Sequence, residues 1–461
     1  MRGISPEIGP LSILPIRASA LDSSEAVSQW LRSVGRSERS RQVAMMSKTE
    51  LARFMTLIDA ELVPELIGSV DADVAARMIA LAGTKQAARI IESLPPDDSA
   101  EILRELPGDT RESILAQTSR EAGTALRGIL RYPPESVAAH MNPKFFTVKR
   151  ALTVAEAESS IRDQATHVGG KARVGALIYV VDDDRHLVGV IDFPDLVLSD
   201  PARSVSELMG KDPFWVSPSL DAEDAANTLI DRNLTELPVL DSDHALLGVL
   251  TAEDAAEILE DEATEDAERQ GGSQPLDVPY LRASPIRLWR KRIVWLLVLF
   301  VAEAYTGTVL RAFEDELEAV VALAFFIPLL IGTGGNTGTQ ITTTLVRAMA
   351  TGEMQFRDLP RVLRKELSTG FLVAATMAAA AVIRSWTLGV GPEVTITVSL
   401  TVAAIVLWST VVASVLPPLL KKLKVDPAIV SAPMIATIVD GTGLIIYFLI
   451  AHLTLSQLAG L

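Results

Sequence analysis

The chain has 461 residues, 49% hydrophobic and 22% charged, and 42 Lys and Arg against 58 Asp and Glu leave a formal charge of −16. The absence of cysteine excludes a disulfide scaffold, a thiolate nucleophile and a cysteine-ligated metal, five His argue against a histidine-rich metal centre, and the acid surplus argues against general nucleic-acid binding, which needs cations to neutralise phosphates. The charge is unevenly spread, since residues 287–461 hold 11 acidic and 14 basic residues (+3) and residues 1–286 hold 47 and 28 (−19).

Residues 1–40 contain an apolar patch interrupted by Pro6, Pro10 and Pro15, without the pattern of a cleavable signal peptide, and read as a poorly ordered leader. Residues 41–137 repeat short amphipathic helices broken by Pro or Gly, as in SLPPDDSAEILRELPGDTRESIL, where Leu94, Ile102, Leu103 and Leu106 recur near helical spacing. This predicts an all-α, superhelical N-terminal domain with no catalytic constellation.

Two copies of one unit follow, over 138–203 and 204–270. MNPKFFTVKRALTVAEAESSI aligns with MGKDPFWVSPSLDAEDAANTL, and GALIYVVDDDRHLVGVIDFPDL with LTELPVLDSDHALLGVLTAEDA, which matches Met141 to Met209 and Gly189 to Gly248. Each copy reads turn, helix, strand, turn, strand, helix, and the pair resembles tandem CBS domains, an α/β module that in other proteins binds adenine nucleotides or metal ions. The second copy runs into EDAAEILEDEATEDAE, residues 253–268, with nine carboxylates in sixteen positions. Asp254, Glu257, Asp261 and Glu265 recur at helical spacing, where like charges repel by about 0.2–0.5 kcal/mol per pair, and a hard divalent cation with its preference for oxygen ligands would relieve them.

A connecting helix is expected within 271–291, over about Pro275 to Arg290, and a five-helix membrane domain over 292–461, with spans near 292–310, 319–349, 366–388, 394–420 and 427–452. Lys and Arg collect before the first span and after the second and fourth, which puts the N-terminal domains in the cytoplasm and the C-terminus outside a cell (inner) membrane. Within the second span PLLIGTGGNTGTQ suits close helix approach beside a cavity, with Asn336 and Gln340 four residues apart. The last span carries one charge, Asp440, some fourteen residues in, and no Lys or Arg lies in the apolar interior of any span to pair with it. A mid-membrane carboxylate costs about 2.5–3.5 kcal/mol and must face water, a partner or an ion; Ala436, one turn earlier, could turn a carbonyl to the same cavity, and a ring of such oxygens favours cations. Glu303 is the acid within the first span.

Taken together, PLLIGTGGNTGTQ, LEDEATED and VDPAIVSAPMIATIVDGTGLIIY resemble the MgtE family of magnesium channels and transporters, over about residues 45–455. The resemblance implies a homodimer in the lipid bilayer that admits Mg²⁺ through a pore at the dimer axis and closes when cytosolic Mg²⁺ binds between the acidic cytoplasmic domains and a connecting, or plug, helix. It implies no enzyme activity. By motif, Asp440 with the Ala436 carbonyl would hold the hydrated ion. The sensor would draw on Asp97 and Glu101 in the N-terminal domain, Asp221 and Glu223 in the second CBS copy, and Asp254, Glu257, Glu262, Glu265 and Asp266 along the acidic run. Asp426 would link the last span to them. Mg²⁺ is then both cargo and regulator, and ATP binding by the CBS pair is left open. Two positions depart from the family: Asn233 replaces an acid, with Asp231 as its nearby substitute, and Ala432 replaces an Asn before the proline of the last span. A nucleotide-sensing CBS receptor or scaffold, and an ion-coupled exporter of another divalent cation, are the rival readings.

Overall fold

The computed structural model describes residue 18 and residues 21–168, 175–276, 278, 280–423, 425 and 432–458. They form two compact units, Met1–Asp261 with Asp277–Arg282, and Glu262–Leu276 with Ala283–Leu461.

The first unit begins earlier than the leader expectation allowed. α1 (Ser24–Ser33) and α2 (Arg36–Ala44) are ordered helices. Ser23 caps α1 by accepting the Ala26 N–H, and Val27, Trp30 and Leu31, at helical spacing, are fully buried. Trp30 meets Phe54 edge-to-face at 5.7 Å and donates its indole N–H to Gln42. One large aromatic with a satisfied polar end anchors a segment that looked structureless by composition. Helices from here to Ile129 share a single apolar core, consistent with the expected all-α domain.

The tandem repeat folds as a CBS pair. Strands β1 (Thr147–Lys149), β2 (Leu177–Val181), β3 (Leu187–Asp192) and β4 (Gly210–Lys211) make one sheet in that order, and β5 (Glu236–Leu240) pairs antiparallel with β6 (Leu246–Thr251). The segments leading into each copy are exchanged: Gly210 pairs with Val190 of the first copy, and Asn142 bridges to Val249 of the second. The aligned Met and Gly residues explain this. A Cβ on Gly189 would stand 2.8 Å from the Met209 sulfur, and one on Gly248 would stand 2.7 Å from the Met141 sulfur, so each glycine is the floor on which the other copy's methionine rests. The seam also holds a buried acid, Glu236, which accepts the Tyr179 hydroxyl and the Ala176 N–H, each at 2.7 Å.

In the second unit the helix expected from about Pro275 begins only at Pro285. Gly271 and Gly272, the latter at φ 74°, end the preceding helix. The chain turns back so that Gln274 donates to the Lys291 carbonyl, Ser284 caps the new helix, and that helix continues unbroken as the first span. Among the described residues five helices are long and apolar enough to cross a membrane: Pro285–Ala312, Val321–Ala350, Phe356–Leu388, Pro392–Lys422 and Ala432–Thr454. The second, fourth and fifth spans pack through glycine. A Cβ on Gly334 would lie 2.6 Å from both Ile405 and Val439, one on Gly338 would collide with Ile435, and Ser409 donates to the Gly334 carbonyl at 2.7 Å.

Candidate functional site: two sets of underpartnered carboxylates

The first set lines a cavity of about 40 Å³ in the first unit, room for an ion with little water rather than an organic ligand. Three short stretches build it: α3 (Pro96–Arg104), which opens on two prolines that place Asp97, Asp98 and Glu101 in its first turns; α4 (Val137–His140); and the first half of α5 (Ala252–Gln270), where Asp254, Glu257 and Asp261 share a face at i, i+3 and i+7. Asp97 is 9% exposed and its Oδ1 has no hydrogen-bond partner among the described residues. Burial, then Asp98 and Asp254, hold its carboxyl well above the ordinary range. Glu101, whose side chain still reaches water, is pushed up to about 7 by partial desolvation and then by Glu257 and Asp261, a shift that solvent screening moderates. Asp261 is raised by desolvation and then by Glu257. Cations are few at this site. His140 accepts no added charge readily, because burial lowers its pKa, and its Nε2 meets the Pro134 carbonyl at 2.8 Å. Arg104 binds the Ala139 and Ile129 carbonyls. Arg36 reaches Glu257 at 3.1 Å, but both side chains are half-exposed, so the pair is worth little. Six carboxylates with surplus negative charge offer the oxygen ligands that Mg²⁺ or Ca²⁺ prefers.

Of the sequence candidates, Asp97, Glu101, Asp254 and Glu257 therefore converge. Asp261, already marked by the helical spacing of the acidic run, joins them, as do Asp98 and His140, which were not among the candidates; nothing local marked His140. Asp254 does double duty, since its Oδ2 also accepts the Thr251 N–H and hydroxyl at 3.0 and 2.7 Å. Asp221 does not line the cavity: it caps the helix Ala222–Asp231, accepting the Glu223 and Asp224 N–H groups, and Glu223 sits in that first turn. Asn233 has φ 52°, a left-handed backbone just past the same helix that Asn tolerates better than most residues, which accounts for its place there. Glu262, Glu265 and Asp266 belong to the second unit, where Glu265 pairs with Arg269. Asp426 lies outside the described residues.

Asp182, Asp184 and His186 also bring ligand atoms within 4.8 Å of one another. Asp182 Oδ1 accepts the N–H groups of Asp184 and His186, and Asp241 does the same for Asp243 and Ala245 in the second copy. Such repetition identifies a hairpin-closing Asx turn. A larger cavity in the CBS pair, about 450 Å³, is bordered by Arg150, Lys211, Trp215 and His244 and is of a size for an organic ligand.

The second set is in the membrane unit. Asp440 is half-buried in the last span, and its Oδ1 has no hydrogen-bond partner among the described residues. Gly335 backs it: a Cβ there would lie 3.2 Å from Ala436 Cβ and 3.8 Å from Asp440 Oδ1. Gly441 lets the Tyr305 ring and Thr306 of the first span approach, and the charge of Glu303 on that span acts on Asp440. Ala436 stands one turn before Asp440 in a helix that is continuous from Ala432 to Thr454. Asn336, Gln340 and Thr344 form a polar, exposed stripe along the second span at i, i+4 and i+8.

Residues 327–450 match the family model described as MgtE, divalent cation transporter; 37–135 match the MgtE intracellular N domain; and 136–199 and 205–261 match the CBS domain. The chain is 38% identical over 330 residues to the magnesium transporter MgtE of Thermus thermophilus, covering 72% of each chain. It is 31% identical over 337 residues to the MgtE of Enterococcus faecalis (73% of this chain, 72% of that one) and 29% over 343 residues to the MgtE of Bacillus subtilis (73% of each).

Proposed function

We propose that this chain, which belongs to the MgtE family of divalent cation transporters, is a Mg²⁺ channel whose conduction site is built on Asp440 and whose closure is driven by cytosolic Mg²⁺. It is a multi-pass membrane protein and a transporter rather than an enzyme. The observation that carries the channel reading is Asp440 itself, a carboxylate with an orphaned oxygen in an otherwise uncharged apolar span. An ion supplies the missing partner. Mg²⁺ gives up its waters reluctantly, so Asp440, with the Ala436 carbonyl at its side, selects a hydrated ion. The polar stripe of Asn336, Gln340 and Thr344 finds no solvation in hydrocarbon, and a second copy of the chain covers it, making a homodimer with the pore on its axis.

The acid-lined cavity supports the gating reading. Asp97, Asp98, Glu101, Asp254, Glu257 and Asp261 repel one another when bare, and Mg²⁺ held among them favours the compact cytoplasmic state by binding it more tightly than any open one. Glu262, Glu265 and Asp266 extend this acidic run along the sequence. The basic loops after the second and fourth spans set the N-terminal domains in the cytoplasm and the C-terminus outside. The 450 Å³ cavity of the CBS pair, with its cationic and aromatic border, has space for ATP as a modulator.

Purified protein in liposomes tests the reading. Mg²⁺ flux should follow its own gradient, be unaffected by a pH or Na⁺ gradient, and vanish in Asp440→Lys. Undiminished flux in that variant would sink the pore assignment; dependence on a second ion's gradient would favour the exporter; absence of any flux would favour the receptor.

A further inference from the structure

The basic end of the membrane unit is more ordered than topology alone requires. The link between the second and third spans folds back on itself: Met354 is buried against Leu345, Val346 and Met349 and donates its N–H to the Ala348 carbonyl, while Gln355 and Asp358 cap each other. Lys421, at the end of the fourth span, donates to the Met349 carbonyl at 3.2 Å and so ties that end to the second span. Lys422 lies over the Phe356 ring at 4.3 Å. On this rim Arg357, Arg361, Arg364, Lys365 and Lys422 are all exposed. The described acids beside them are Glu353, Asp358 and Glu366, and Asp358 approaches Arg361 only to 3.7 Å. The rim is therefore a fixed concentration of positive charge.

We propose that this rim, formed by the ends of the second and fourth spans and the start of the third, is a binding surface for anionic phospholipids. Two features select a lipid over a free anion. Phe356 and Leu423 are exposed apolar shoulders among the cations, 41% and 63% accessible. Along the third span, Arg361, Lys365 and Leu372 share one helical face, and Leu372 and Phe371 are exposed about two to three turns further into the membrane. A cationic head position above an apolar track is complementary to a phosphate headgroup with its acyl chains. Basic clusters next to membrane spans attract anionic lipid by about fivefold per Lys or Arg near the surface, whereas the positive-inside rule needs only that the charges be present, wherever they point.

The test uses full-length protein in mixed phosphatidylcholine and phosphatidylglycerol, with retained lipid counted by native mass spectrometry. Wild type should retain phosphatidylglycerol at least fivefold over its bulk share. Arg361→Gln/Lys365→Gln/Lys422→Gln should lose that enrichment, and Arg311→Gln/Arg384→Gln, on the other side of the membrane, should keep it. Should the triple variant fail to fold, Lys422→Gln alone should lower the enrichment about fivefold. Equal enrichment in the rim variants and wild type, or none in wild type, overturns the proposal. So does displacement of the lipid by millimolar inorganic phosphate, which would make the rim a site for a free anion.

Discussion

Asp97 in the acid-lined cavity and Asp440 in the last span meet the same problem, a carboxylate oxygen without a donor among the described residues, in opposite surroundings. In the cavity six acids crowd one small space at the edge of water, and the cost of charging any one of them depends on its neighbours. In the last span one acid stands alone in apolar surroundings, with Glu303 on a neighbouring helix. Crowding produces a graded response, suited to sensing a concentration. Isolation produces an all-or-none site, suited to passing one ion at a time. Glu236 is the contrast to both: it is more deeply buried, at 5% exposed, but holds two donors and ties the CBS copies together.

Asp440→Asn should have the largest effect. If the bound ion repays the whole cost of a mid-membrane carboxylate, about 2.5–3.5 kcal/mol, Mg²⁺ flux into liposomes falls about a hundredfold, and a change under threefold would break the contrast by making the lone acid structural. Overpacking the glycine seam comes next. Gly338→Leu should destabilise the detergent-solubilised protein by about 1–3 kcal/mol in thermal unfolding, while Gly332→Ala, whose Cβ meets open space, should change nothing. Glu236→Ala, which strands the Tyr179 hydroxyl and the Ala176 N–H, should cost about 1–3 kcal/mol in chemical denaturation of the first unit's signal.

The cavity should show the graded behaviour. Its raised carboxyls hold protons in the folded state that the unfolded chain has released, so without metal the folding stability falls as pH rises from the usual carboxylate range through about 7, the value for Glu101. Mg²⁺ must displace those protons, so its midpoint for protecting the cytoplasmic half from protease should weaken about tenfold from pH 8 to pH 6. Asp97→Asn should flatten both dependences, and unchanged pH profiles in that variant would mean the crowding is not felt. The smallest effect belongs to Arg36→Gln, about 0.2–1 kcal/mol, because a half-exposed ion pair is screened by water and salt.

What the sequence by itself determined rests on local signals. Five apolar runs, the doubled CBS motif with its matched methionines and glycines, the acidic run, and one charge in the last span are all visible within windows of about ten to thirty residues, because periodicity and hydrophobicity are properties of neighbours. Tertiary structure decided what those neighbours could not. Trp30 turned a supposed leader into ordered helices because its contacts, Gln42 and Phe54, come from later helices. Asp98 and His140 joined the cavity because α3 and α4 meet α5 across more than a hundred residues of chain, whereas Asp221, equally acidic and equally close to a motif, was taken up by its own helix as a cap. Whether a carboxylate serves as a cap, a buried tie or an underpartnered ligand depends on the donors that folding brings within reach of it, and those are set by long-range packing.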